Sequence, residues 1–158
     1  MTPEAENLYK AHSKYVYSNA LRLLRNKQDA EDVTQNVFIK FFAALSSFRG
    51  DSSVRTYLYR IAVNEIMDMS RKRKVRENKM EQVASPEYTK PQTGKMELDS
   101  LLSKLDDEHK IPILLSEING FTYKEIAEIL NLNEGTVKSR IHRGMAKLIA
   151  AAQKEKTK

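Results

Sequence analysis

TYKEIAEILNLNEGTVKSRIHR, running from Thr122 to Arg143, contains two helical patterns separated by a short break. Thr122 can cap a short helix in which Ile126, Ala127 and Leu130 share one face, because its hydroxyl can accept from a free first-turn amide. Alanine at 127 lets a second helix cross at close range. Asn131-Leu132-Asn133 supplies the turn. Asn tolerates the left-handed conformation better than any residue except Gly. Leu132 fills the core, and Asn133 caps the helix that follows. That helix opens at Glu134 and buries Val137, Ile141 and Leu148. At about 100° per residue, Ser139 then points most directly outward, with His142 and Arg143 beside it and Lys138 and Arg140 on the flanks. The spacing predicts a helix-turn-helix.

The outer face of this second helix is short, polar and basic, with no acid between Gly135 and Arg143. A major-groove helix needs that chemistry. Arg can bond a guanine edge through two nitrogens while flanking cations meet phosphates. Gly135 and Thr136, at the helix start, allow the backbone to approach a phosphate closely. An ordinary helical hairpin with a solvated basic face shares the pattern. The compact turn and the acid-free face favour the DNA-reading alternative.

Upstream, helical spacing recurs and strand signals are nearly missing. A first helix is predicted from about Glu4 to Leu24, with Leu8, Tyr15, Val16, Ala20, Leu23 and Leu24 inward and Asn26 as a stop and cap. A second places Ala30, Val33, Val37, Phe38, Phe41 and Leu45 on one side. Its early acids, Asp29, Glu31 and Asp32, suit the positive end of the helix dipole. Gly50-Asp51-Ser52-Ser53 gives a turn and a cap. A third helix follows, with Val54, Tyr57, Leu58, Ile61, Ala62, Ile66 and Met69 inward, and runs out into the basic cluster Arg71 to Arg76. Cations beside Tyr57 and Tyr59 are what single-stranded DNA requires, although a solvated helix end explains the cluster equally well.

Between Glu77 and Gly94 the periodicity stops and Pro86, Pro91, Ser85 and Thr93 appear, as in a flexible connection. The expected fold is therefore all-α, with two small helical domains at 1–76 and 95–152, a flexible linker at 77–94 and a basic tail at 153–158. The second domain opens with a short helix bearing Leu98, Leu101, Leu102 and Leu105. A capped helix beginning at Asp106 or Asp107 comes next, with a tight first turn or a bend expected at Pro112.

Bulk properties narrow the function classes. The 158 residues are 41% hydrophobic and 30% charged, with a formal net charge of +6. Cysteine is absent, which excludes disulfides and thiolate zinc sites. No apolar run is long enough for a membrane span or a secretory signal, so a cytoplasmic location is expected. The early acids of the second helix splay around it with no histidine nearby in sequence, so no metal and no cofactor are expected. His12, His109 and His142 are scattered and expected at the surface. No nucleophile–base set and no phosphate loop occur, so catalysis is not expected. The rival classes are a free-standing helix-turn-helix regulator on an operator and a metal-dependent nucleic-acid enzyme using the acidic cluster.

The stretches Asp29–Phe38, Phe48–Ser52 and Tyr57–Asn64 closely resemble region 2 of the extracytoplasmic function (ECF) sigma factors. Gly120–Ala127 with Gly135–Arg143 is similar to their region 4. The likeness covers nearly the whole chain except the linker and tail, and two motifs in this order are very specific. It implies an initiation factor that binds core RNA polymerase and promoter DNA, with an anti-sigma factor as a candidate partner. By the same resemblance, Asp32, Gln35 and Asn36 would contact the polymerase clamp. Phe48, Arg49, Gly50, Asp51, Ser52, Arg60 and Asn64 would melt and read the −10 element, with Arg71 and Lys72 on nearby phosphates. Gly135, Thr136, Lys138, Ser139, Arg140, His142 and Arg143 would read the −35 element. Tyr57 stands where the family usually has Trp, and Gly144-Met145 where it has a small residue followed by Arg.

Overall fold

A computed structural model describes residues 2–48, 50, 53–79 and 96–156. Every regular element among the described residues is helical. The chain divides into two compact units, Met1–Thr89 and Lys90–Lys158.

The first unit holds α1 (Pro3–Leu24), α2 (Lys27–Leu45) and α3 (Val54–Lys79), each packed on the other two. Local chemistry sets the helix ends. Thr2 accepts from the Ala5 amide at 3.2 Å, ahead of Pro3 and two first-turn acids, Glu4 and Glu6. Arg25, left-handed at φ 54°, ends α1, and the Asn26 side chain accepts from the Asp29 amide at 2.9 Å to start α2. Asn26 thus caps as its position in the sequence suggests. Ser53 begins α3, its Oγ accepting from the Thr56 amide at 3.0 Å. The far end of α3 returns to α1, where the Arg73 guanidinium donates to the Leu24 carbonyl and also pairs with Glu77. This cation at a helix C-terminus satisfies a carbonyl that has no partner within its own helix. Arg73 therefore serves the fold.

Val16, Ala20 and Leu24 from α1, Ala30, Val33, Val37 and Phe41 from α2, and Leu58, Ala62 and Ile66 from α3 form the core. Two tyrosines depart from expectation. Tyr15 is 51% exposed, and Tyr59 is 2% exposed. Because α3 is covered by both α1 and α2, its buried arc is wider than one apolar stripe and reaches Thr56 and Tyr59. His12 of α1 meets the Tyr59 ring edge-on, with centroids 5.9 Å apart, and the Arg55 guanidinium lies 5.8 Å from that ring. Burial pushes the Tyr59 phenol up to about 12, and burial with Arg55 holds the His12 imidazole below its usual value. A ring enclosed in this way cannot stack on a DNA base, so only Tyr57 of the pair remains available. Residues 77–79, which composition assigns to the linker, are helical.

The second unit holds α4 (Met96–Leu102), α5 (Asp107–Ile113), a π-helical turn (Leu114–Ile118), α6 (Tyr123–Leu130) and α7 (Glu134–Lys156). Asp106 precedes α5 without a side-chain cap. Pro112 lies inside α5 and removes one helical donor. A π turn follows directly, closed by the Asn119 amide on the Leu114 carbonyl at 3.0 Å. Gly120 then adopts φ +74°, a left-handed conformation that suits Gly, and delivers Phe121 to the core.

α5 and α7 cross at Gly144. A Cβ there would lie 2.5 Å from Ile113 Cδ1 and 3.1 Å from His109 Cβ. His109 is consequently buried, contrary to the surface position expected for it. Leu102, Ile111, Leu114, Leu115, Ile126, Val137 and Ile141 complete this core. α7 continues to Lys156, so it enters the segment read as a tail.

Candidate nucleic-acid interface

The helix-turn-helix forms by local capping. Thr122 Oγ1 accepts from the Glu125 amide at 3.2 Å, and the Glu125 carboxylate accepts from the Thr122 amide at 3.0 Å. This reciprocal pair fixes the start of α6. Asn131 is left-handed at φ 55°, and the Leu132 amide reaches the Ala127 carbonyl at 3.0 Å. Asn133 Oδ1 accepts from the Thr136 amide at 2.8 Å and starts α7. Ile126 and Ala127 are buried as the spacing suggests, with Ile129 in place of Leu130.

Val137, Ile141 and Leu148 bury one side of α7. Lys138, His142 and Arg143 are exposed, as is Gly135. Thr136, Ser139 and Arg140 are half-buried. Ser139 is thus not the outermost residue. α7 packs against α4, α5 and α6, so more of its circumference is covered than a two-helix motif suggests. Arg140 Nε lies 3.5 Å from Glu108 Oε1 of α5. That acid comes from a neighbouring helix and was invisible in the α7 pattern.

In the first unit, Asp32, Gln35 and Asn36 are all exposed on α2, and Asp32 accepts from Gln28 Nε2 at 3.0 Å. Arg60 and Asn64 are exposed one turn apart on α3. Phe48 and Gly50 lie between α2 and α3 in the chain. The Phe48 ring lies 5.2 Å from that of Tyr57, which lies 6.3 Å from Phe41. Arg49, Asp51 and Ser52, expected to serve the same surface, fall outside the described residues.

Arg71 and Lys72 are exposed further along α3, with Arg71 paired to Asp68. An open groove of about 600 Å³ joins them to α2, lined by Asp29, Asp32, Met69, Arg71, Lys72 and Val75 among others. Asp32, expected at the polymerase clamp, therefore lies beside Arg71 and Lys72, expected on DNA phosphates. A second groove, also about 600 Å³, runs between α1 and α2 beside Gln35 and includes Tyr9, Tyr17, Phe38, Ile39 and Phe42. Ile39, a large aliphatic residue off the apolar face of α2, is 67% exposed.

Among the described residues, no group of three or more His, Asp or Glu side chains could hold a metal ion. No helix among them is long and apolar enough to cross a membrane.

Comparisons with known proteins place this geometry. Residues 8–76 match the family model for Sigma-70 region 2, and residues 95–148 match that for Sigma-70, region 4. The chain is 33% identical to the ECF RNA polymerase sigma factor SigE of Mycolicibacterium smegmatis, covering 92% of this chain but 60% of that relative's length. It is 32% identical to the RNA polymerase sigma factor YlaC of Bacillus subtilis, over 90% of this chain and 88% of YlaC. Against the ECF RNA polymerase sigma factor SigW of the same organism, identity is 35% over 82% of this chain and 78% of SigW. Among solved structures, the sigma factor RpoE in complex with the anti-sigma factor NepR from Bartonella quintana has a TM-score of 0.81 at 23% identity, covering 96% of this chain and 98% of RpoE. CnrH in complex with the cytosolic domain of CnrY has a TM-score of 0.71 at 28% identity, covering 94% and 87%.

Proposed function

This chain belongs to the extracytoplasmic function RNA polymerase sigma factors, and from that membership we propose how its residues act. The protein binds core RNA polymerase, recognises the −35 and −10 promoter elements and helps to open the DNA. Asp32, Gln35 and Asn36 of α2 meet the polymerase clamp. Phe48, Arg49, Gly50, Asp51 and Ser52, between α2 and α3 in the chain, engage the −10 element with Arg60 and Asn64, while Arg71 and Lys72 hold phosphates beside it. α7 enters the major groove of the −35 element with Lys138, Arg140, His142 and Arg143, and Gly135, Thr136 and Ser139 lie against the backbone.

The observation that carries this reading is the capped turn at Asn131–Asn133, which presents exposed Lys138, His142 and Arg143 on a single helix. Two weak readers held by one polymerase gain effective concentration without new contacts. Strand opening is driven by capturing an extruded base, at a cost of a few kcal/mol in lost stacking. The protein acts in the cytoplasm, by binding rather than by catalysis, and an anti-sigma factor is its proposed regulator.

Substituting two exposed α7 residues separates base reading from phosphate contact. Arg143→Ala is expected to lose about 1–3 kcal/mol of discrimination between the preferred −35 sequence and a scrambled one. Lys138→Ala is expected to weaken both alike and to lower the salt slope by about one. Titrations of holoenzyme against both duplexes at several salt concentrations check this. Equal losses on the two duplexes for Arg143→Ala would remove that residue from base reading.

A further inference from the structure

We propose that Glu108 is a positioning residue for promoter reading, holding the Arg140 guanidinium in the orientation from which it contacts DNA. The inference rests on the reading of α7 as the −35 helix. Arg140 Nε lies 3.5 Å from Glu108 Oε1, with the side chains 30% and 56% exposed. Glu108 meets the guanidinium from its Nε side, and a pair of guanidinium nitrogens is what grips a guanine edge or a phosphate. A side chain already held near that geometry also loses less freedom when DNA arrives.

The two helices are fixed to each other at this point. His109, next in the chain after Glu108, packs on Gly144, one turn beyond Arg140. The contact that sets the α5–α7 spacing therefore also sets the distance between carboxylate and guanidinium.

Glu108 places a negative charge beside a helix face that has no acid of its own from Gly135 to Arg143. An acid in that place opposes attraction to any phosphate backbone, so it reduces sequence-independent affinity. Its benefit is direction. Removing the charge should have opposite effects on the two kinds of binding: tighter association with arbitrary DNA and poorer discrimination.

The test uses holoenzyme reconstituted from core RNA polymerase and the full chain, with promoter duplexes selected from a pool randomised across the −35 element. The unsubstituted chain is expected to enrich a motif. Glu108→Gln should bind the unselected pool more tightly, and enrichment at the base pairs nearest Arg140 should fall about twofold to fivefold, the range of an exposed ion pair. Glu117→Gln removes the same charge from an exposed position on the π turn and should leave the motif unchanged. In an Arg140→Gln background, Glu108→Gln should cause no further loss. An unchanged motif in Glu108→Gln, or an equal loss without Arg140, overturns the positioning role. No enrichment by the unsubstituted chain overturns instead the assignment of α7 to the −35 element, and this proposal with it.

Discussion

Tyr59→Ala is expected to destabilise the first unit by about 3–5 kcal/mol, the usual cost of deleting a fully buried aromatic side chain. Small domains are stable by about 5–15 kcal/mol in total, so this change leaves α1–α3 close to unfolding. The ring is enclosed between α1 and α3, edge-on to His12 and beneath Arg55. Tyr57→Ala should behave differently although it lies only two residues away. Tyr57 is half-buried and shares its ring contacts with Phe48 and Phe41, so its loss should cost about 0.5–1.5 kcal/mol per aromatic pair. Its larger effect should fall on promoter opening, because its ring meets that of Phe48, which we propose engages the −10 element. Urea denaturation of both variants, with permanganate probing of promoter thymines, distinguishes them. A stable Tyr59→Ala variant defective only in opening would return Tyr59 to the DNA surface.

The second large effect is at Gly144. Gly144→Val places a branched side chain where even a Cβ would stand 2.5 Å from Ile113 Cδ1 and 3.1 Å from His109 Cβ. The Ile113 methyl is the end of a flexible side chain and can turn away. His109 Cβ is anchored to the α5 backbone and cannot yield without moving the helix. Overpacking of this kind costs about 1–3 kcal/mol, and here it separates α5 from α7. Gly144→Ala should be milder, since it recovers about 1 kcal/mol of helix propensity against a smaller clash. Hydrogen exchange read segment by segment should show α5 and α7 losing protection in Gly144→Val while α1–α3 keep theirs. Unchanged protection at α5 would mean that the crossing tolerates a wider spacing.

Residues that depend on near neighbours were legible in the sequence. Capping Thr122, left-handed Asn131, capping Asn133 and capping Asn26 each act within a few positions of themselves, so residue type and spacing suffice to assign them. Residues whose setting comes from a distant helix were not legible. Tyr59 is buried because α1 supplies a second wall, and His109 because Gly144 lets α7 approach. Arg73 belongs to the end of α1, and Arg140 has a carboxylate neighbour from α5. A one-dimensional apolar pattern records one face of a helix and cannot show how many neighbours cover it. The same limit explains Ser139, which projection around an isolated helix places outermost, and the groove that brings Asp32 beside Arg71 and Lys72. Of the candidate site, the α7 residues could be assigned to one helix face from spacing, whereas the roles proposed for α2 and α3 came from family resemblance.

Run-off transcription with purified core RNA polymerase tests the whole account most directly. With this chain added, the polymerase should start at defined positions on templates bearing its selected −35 and −10 elements, and core polymerase without it should not. Tight binding of the isolated chain to a symmetric operator, with no change in start sites when polymerase is present, would contradict the account.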